Sequence, residues 1–268
     1  MKYFVVSDTH SYYTILKATL DQKGFSPDKD HVLVLLGDAF DRGDGTADLA
    51  EFLLSLHDRG KLIYIRGNHE DLLVKALWQL ARGADPLDIA LSYHATNGTW
   101  QTLLDLAGLT ESQAIAYPQT LIANVMASRV YRDLLPSCAN YFELGRYVFV
   151  HGYIPCTITE SESGTTYAYN PNWRDASPSE WADAHWYKGV EIAVEHGIWE
   201  PDQVIVCGHW HASAFHSKYE HRGSEGGPDA DHSPYYNEQA GIIGIDGRTA
   251  ISQSINCLVF DEGGNLLK

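Results

Sequence analysis

The stretch "LIYIRGNHED", residues 62–71, decides how the chain reads. Leu62 to Ile65 have the β-branched, apolar character of a buried strand, and the run then breaks into Gly67, Asn68, His69 and Glu70, which a sheet interior cannot absorb. Strands of α/β proteins carry chemistry at such ends, because the rigid sheet fixes the backbone from which polar side chains project. What matters is whether other strand ends supply partners for Asn68 and His69.

Upstream, "KYFVVS" (2–7) and "HVLVLLG" (31–37) read as strands around a helix, "YTILKATLDQKG" (13–24), that stops at Gly24. A second helix follows in "TADLAEFLLSLHDRG" (46–60), with Thr46 expected as its N-cap and Gly60 as its stop. Strands joined by helical crossovers imply a parallel sheet with its loops gathered at one edge. From about 71 to 136 the pattern is mainly helical, as in an inserted cap, with Trp78, Leu80, Trp100, Leu103, Leu104 and Met126 as apolar-face candidates. Strand signals return at "YFELGRYVFVHG" (141–152), with a tight turn at Gly145–Arg146, and at "QVIVCGHWH" (203–211). "GIIGIDG" (241–247) and "INCLVFDEGGNLL" (255–267) close the chain, the latter with a turn at Gly263–Gly264. The Trp-rich stretch 170–189 is expected at the edge of a site, and about 220–238 has the composition of a mobile acidic loop.

The chain has 268 residues, of which 44% are hydrophobic and 12% aromatic, enough for a packed core in a single domain over 1–268. Its formal charge of −16 disfavours nucleic acid and anionic membranes as partners unless bound cations reverse it locally. Cys138, Cys156, Cys207 and Cys257 form no CxxC pair and read as buried thiols of a reducing compartment. With no signal-peptide pattern and no apolar run of membrane-spanning length, the expected location is the cytoplasm.

The other strand ends do supply partners. "VVSDTH" gives Asp8 and His10, "LVLLGDAFDRG" gives Asp38, Asp41 and Arg42, "VFVHG" gives His151, and "VIVCGHWH" gives His209 and His211. Carboxylates, an amide oxygen and imidazoles with no thiolate form a donor set of intermediate hardness, suited to Mn, Fe, Zn, Mg or Ni, with Mn foremost, rather than to copper or an iron–sulfur cluster. Asp8, His10, Asp38, Asn68, His151, His209 and His211 exceed one ion's needs and suffice for two ions sharing a carboxylate. His69 is suited to protonating a leaving oxygen, with Asp41 accepting its other ring proton, and Arg42 offers a planar fork for phosphate oxygens.

The blocks "SDTH", "GDAFDRG", "RGNHE", "VHG" and "GHWH", in this order, resemble the metallophosphoesterase superfamily. "GDAFDRG" with "RGNHE" resembles its phosphoprotein phosphatase branch, which includes calcineurin-like enzymes and bacterial diadenosine tetraphosphate hydrolases. The resemblance implies an α/β fold, a four-layer α/β/β/α sandwich of two mixed sheets with a helical cap, and a binuclear centre where strand ends meet. It implies that Asp8 and His10 bind one ion, completed by His211, that Asn68, His151 and His209 bind the other, and that Asp38 bridges them. It further implies His69 as general acid paired with Asp41, Arg42 as a phosphate contact, and a second phosphate-binding arginine, for which Arg174 in "NWRD" is the candidate. Ser11 stands where the branch usually has glycine, and the second histidine of "GHWH" is more typical of the wider superfamily.

The leading expectation is therefore a phosphomonoesterase acting on a phosphorylated protein, at phosphoserine or phosphothreonine, or on a small phosphorylated molecule, by in-line attack of a hydroxide held between the ions. The alternative within enzymes is symmetrical hydrolysis of dinucleoside polyphosphates such as diadenosine tetraphosphate, with Tyr12, Tyr13, Trp173 and Trp186 available to stack on a base. An alternative of another class is a non-catalytic metal-binding interaction module holding a partner through Asp229 to Asp231, for which the His69–Asp41 pair would have no use.

Overall fold

The period-two alternation of strand residues assigns each side chain to one face of its sheet. In the computed structural model, which describes residues 1–161 and 164–267, this alternation builds three hydrophobic layers. β1 (Lys2–Val6), β2 (His31–Leu36) and β3 (Leu62–Ile65) run parallel. Phe4, Val6, Leu33 and Leu35 face α1 (Tyr13–Lys23), α2 (Thr46–Asp58) and the helices that follow, whereas Val5, Val34, Leu36 and Ile65 face a second sheet.

That second sheet contains β4 (Phe142–Leu144) and β5 (Tyr147–Phe149), joined by the Gly145–Arg146 turn in which Gly145 adopts φ 59°. β6 (Thr157–Ser161) and β7 (Gly164–Ala168) form a separate two-stranded ribbon, followed by β8 (Val204–His211), β9 (Tyr235–Asn237) and β10 (Ile242–Asp246). β11 (Leu258–Asp261) and β12 (Leu266–Leu267) return to the first sheet. The two five-stranded sheets have the orders β12-β11-β1-β2-β3 and β4-β5-β8-β10-β9. Both are mixed: the first sheet has antiparallel strands at its β12 edge only, the second at both edges. Phe149, Val206, Ile243, Ile245 and Phe260 fill the space between the sheets, and Val148, Ile205, Cys207 and Ile242 face the outer helices of the second. The result is helices, sheet, sheet, helices, and the C-terminal ends of β1, β2, β3, β5, β8 and β10 lead into the loops that carry the polar blocks.

The cap is α3 (Asn68–Ala81), α4 (Pro86–Ala90), α5 (Tyr93–Thr96), α6 (Thr99–Ala107), α7 (Glu111–Ala116) and α8 (Pro118–Ala127). Leu80, Trp100, Leu103 and Leu104 are buried as expected, but Trp78 and Met126 are exposed. On α3 the buried face is Leu72, Leu73, Ala76, Leu77 and Leu80, which turns Trp78 outward, where the Arg82 guanidinium stacks on it at 3.6 Å. Thr46 is the first helical residue rather than the cap, because its hydroxyl is taken by Ser11 Oγ at 3.1 Å and Gly45 occupies the cap position. The β6–β7 ribbon, with its mostly exposed polar alternation, is an addition to the strands read from sequence. Segment 220–238 ends in β9 and is tied along its length: Arg222 pairs with Asp231, Ser224 donates to Asp229, and Glu225 meets His211. All four cysteines are free thiols. Among the described residues no helix is long and apolar enough to cross a membrane.

Phe260 lies fully buried between the sheets, edge-on to Tyr147 at 4.8 Å and to Phe149 at 5.2 Å. Phe260→Ala is expected to destabilise the protein by about 3–5 kcal/mol in urea unfolding, whereas a loss below about 1 kcal/mol would mean the two sheets are not held by this layer.

Candidate active site

The strand ends and the loops after them are unusual before any side chain is considered. Asp8, His10, Ser11, Asp38, Asp41, Arg42 and His209 all have positive φ, between 46° and 75°. Such left-handed backbone costs non-glycine residues on the order of 1 kcal/mol or more each and persists only where surrounding bonds over-determine it. Those bonds are present. The main chain of the β1 loop is zipped to that of the β2 loop by Asp8 N–H to Gly37 O, His10 N–H to Asp38 O and Ser11 N–H to Ala39 O. The buried Glu70 carboxylate then clamps the β2 loop to the β3 loop, accepting from the N–H groups of Asp38 (2.9 Å), Ala39 (3.0 Å) and Gly67 (2.8 Å) and from the Tyr64 hydroxyl (2.7 Å). Gly67 is glycine for a steric reason: a Cβ there would lie 2.3 Å from Asp38 Oδ1. Across the sandwich, His209 N–H donates to both Asp8 carboxylate oxygens, and His151 Nδ1–H donates to Leu36 O at 2.7 Å.

These ties gather five predicted ligands, Asp8, His10, Asn68, His151 and His209, around the carboxylate of a sixth, Asp38. Asp38 Oδ1 lies 3.3 Å from His151 Nε2, and Oδ2 lies 4.0 Å from His10 Nε2 and 3.8 Å from His69 Nε2. Donor atoms of His10, Asp38 and His69 form one group and those of Asp38, His151 and His209 another, each within 4.8 Å, with Asp38 common to both. Asn68 Oδ1 sits 2.8 Å from His151 Nε2 and 2.9 Å from His209 Nδ1. Backbone carbonyls of Phe40 and Leu36 take the Nδ1 protons of His10 and His151, which leaves each Nε2 lone pair facing Asp38. Buried carboxylate, amide and imidazole donors converging in this way fit divalent cations. Asp8 is buried beside them, and Thr249 Oγ1 donates to its main-chain oxygen.

His69 completes a second chain of contacts. Its Nδ1–H donates to Asp41 Oδ2 at 2.7 Å, and Asp41 in turn accepts from the hydroxyls of Thr99 (2.7 Å) and Thr102 (2.6 Å) at the start of α6. Arg42 spreads its fork across the site, Nη1 at 2.9 Å from His10 Nε2 and Nη2 at 3.1 Å from His69 Nε2. The remaining predicted residues are placed differently. His211 lies outside both donor groups with Nδ1 on Glu225 Oε1 at 2.8 Å, although it shares a cavity with His10. Arg174 is not brought to the cluster: its guanidinium is held by Glu143 (2.6 Å), Glu200 (2.9 Å) and Gln203 (2.8 Å) and stacks on buried Trp173. Trp186, by contrast, stands half-exposed beside His209, with ring centroids 6.0 Å apart.

Burial governs the site's protonation. It dominates at Asp38 and pushes that carboxyl up to about 7, with Glu70 adding to the rise and His69 opposing it. Burial, then neighbouring Asp246, likewise raise Asp8. Burial, then adjacent imidazoles, lower His10 and His209, which favours the neutral, ligand-competent rings. At His69 burial acts downward, but Asp38 and the Asp41 hydrogen bond outweigh it and raise the ring above its ordinary value. Sequence reasoning assigned no role to Glu70, Thr99, Thr102 or Asp246. Glu70 carried a signal, since it is three residues beyond the Gly67 cap position of α3, but nothing in "NGTWQT" pointed to Asp41.

The profile of the calcineurin-like phosphoesterase family matches residues 1–213, and the chain belongs to that family. Over 84 residues, 29% of this chain, it is 29% identical to the asymmetrical bis(5'-nucleosyl)-tetraphosphatase PrpE of Bacillus subtilis (strain 168). Over 70 residues, 26% of the chain, it is 39% identical to the symmetrical bis(5'-nucleosyl)-tetraphosphatase of Enterobacter sp. (strain 638). These matches span only 34% and 24% of the two relatives' lengths. The fold is similar to that of a cold-active protein-tyrosine phosphatase of a psychrophilic Shewanella species, with TM-score 0.51 and 15% identity over 98% of this chain and 76% of that one.

The raised Asp38 carboxyl sets a prediction for metal-free protein. Between the ordinary value of 3.8 and about 7, the folded state retains a proton that the unfolded chain releases, so Asp38 contributes stability at low pH that is lost as pH rises to about 7. Asp38→Asn, which stays neutral, should therefore gain on wild type by about 1.4 kcal/mol per pH unit at most across that window, then level off. Saturating Mn²⁺ should reverse the order, and an advantage independent of pH in urea unfolding would refute the buried-carboxyl assignment.

Proposed function

We propose that the protein hydrolyses phosphomonoesters, on a phosphorylated protein or small molecule, with His69 as general acid. The observation that carries this reading is the buried His69–Asp41 pair braced by two threonine hydroxyls, an arrangement that a module merely holding metal would not need. Asp8, His10, Asp38, Asn68, His151 and His209 would hold two divalent ions, manganese foremost, with Asp38 shared between them and His211 next to His10. When bound, the ions would neutralise phosphate charge and acidify a water molecule.

The chain's own groups do the rest. Asp41 fixes the His69 tautomer and keeps Nε2 directed at the cluster, 3.8 Å from Asp38 Oδ2. The raised proton affinity of the ring lets it hold a proton near neutral pH and release it to a departing alkoxide. Arg42, whose guanidinium meets two imidazoles and no carboxylate among the described residues, is placed to orient phosphoryl oxygens through a bidentate contact. A second reading, hydrolysis of dinucleoside polyphosphates, is favoured by the names of the two partial relatives and by cavities on both sides of Arg42, one of them lined by Tyr12 and Tyr13.

His69→Asn is expected to lower kcat on an alkyl phosphate by about 100-fold or more and on p-nitrophenyl phosphate by much less, because the better leaving group needs no proton. Metal content by elemental analysis should remain at the wild-type level. Equal loss on both substrates, or no loss, would remove His69 from the acid role.

A further inference from the structure

The Trp-rich stretch 170–189 contains a buried histidine that belongs to neither donor group and not to the His69–Asp41 pair. His185 follows the helix Pro178–Ala184, is 3% exposed, and donates Nδ1–H to Asp71 Oδ2 at 2.8 Å. Asp71 lies in the first turn of α3, three residues beyond Asn68, and its other oxygen is held by Arg66 Nε at 2.6 Å. The second ring nitrogen, Nε2, is also buried and has no hydrogen-bond partner among the described residues. A buried polar atom without a partner lowers stability, and a phenylalanine ring of similar shape would avoid that cost. Packing alone therefore does not call for an imidazole at this position, whereas the bond to Asp71 does.

The main chain around His185 touches the other half of the site. A Cβ on Gly152, the neighbour of His151, would lie 2.3 Å from Ala184 O and 2.8 Å from His185 O, so the two segments meet backbone to backbone. Tyr153 N–H donates to Ala184 O at 3.1 Å. On the other side, Trp186 places its indole beside His209, and its main-chain carbonyl accepts from the His209 ring. One residue thus joins the backbone next to both second-sheet donors to the helix that begins with Asn68.

On the two-cation reading given above, we propose that His185 and Asp71 are a positioning pair for the cation held by Asn68, His151 and His209, fixing the first-sheet donor against the two second-sheet donors. Asn68 Oδ1 lies 2.8 Å from His151 Nε2 and 2.9 Å from His209 Nδ1, so these three converge across the junction that the pair spans. A cation site keeps its affinity only while its donors stay within about 0.2 Å of the required distances. The partners of the other cation depend on the pair much less, because His10 is tied to Asp38 within the first sheet by its own main-chain bond.

The test is calorimetric titration of Mn²⁺ into metal-free full-length protein, with urea unfolding as the control. Wild type should take up two equivalents. His185→Phe, which keeps an aromatic ring in place and removes the N–H, should weaken one equivalent by about tenfold or more and leave the other near its wild-type affinity, with no loss of metal-free stability. His185→Asn, whose amide N–H can stand where Nδ1–H stood, should recover most of that affinity although it fills less space. Asp71→Ala removes the same bond from its half-buried partner and decides the matter if the phenylalanine variant does not fold. Two wild-type equivalents that are unchanged in a folded His185→Phe or Asp71→Ala variant overturn the positioning pair and leave the two-cation reading standing. Equal weakening of both ions, or no recovery in folded His185→Asn, assigns the effect to packing and also overturns it. Fewer than two equivalents in wild type removes the two-cation reading, and the pair with it.

Discussion

The Glu70 carboxylate, buried and accepting four hydrogen bonds, is the constraint on which the site rests. Three of its donors are main-chain N–H groups from two different loops, so one side chain sets the distance between the end of β2 and the start of α3. Asp38 and His69 are the residues so aligned, and His69 N–H donates to Asp38 Oδ1 at 3.0 Å. Charge-assisted bonds of this kind are roughly twice as strong as neutral ones, and in a dry interior leaving them unmade is costly. The left-handed residues of both loops are affordable only in that setting.

A carboxylate surrounded by imidazoles in the interior is poorly stabilised by the chain alone. Burial drives Asp38 towards its neutral form, so that a cation would have to displace its proton, whereas it holds His10 and His209 neutral and open to a cation near neutral pH. The Asp38 charge and the Asp41 hydrogen bond raise His69 instead, which separates a proton-holding ring from the neutral imidazoles beside it. On the proposed reading, metal binding and acid catalysis would fall to adjacent residues that differ in their second hydrogen bonds, with backbone carbonyls behind His10 and His151 and a carboxylate behind His69.

Much of this was legible in the sequence, for a physical reason. Parallel strands buried on both faces read as apolar runs, and the polar residues that end them stand out, so Asp8, His10, Asp38, Asn68, His69, His151 and His209 could be named from "SDTH", "GDAFDRG", "RGNHE", "VHG" and "GHWH". The bracing was less visible. Thr99 and Thr102 reach Asp41 from the cap, 58 and 61 residues away in the chain, and no local pattern encodes such a contact. Arginine roles were hardest, because "NWRD" made Arg174 look apt for an anion, and only folding reveals that Glu143 and Glu200 neutralise it. Trp78 and Met126 show a similar limit, since a helix that packs on one face only needs few of its apolar residues inside.

The central claim is that Asp38 is shared by two cations. Anomalous diffraction from crystals of Mn²⁺-loaded protein tests it most directly: the account requires two manganese peaks, one with His10 and one with Asn68, His151 and His209 as neighbours, and Asp38 adjacent to both. A single peak that does not involve Asp38, or peaks only elsewhere on this acidic molecule, would contradict it.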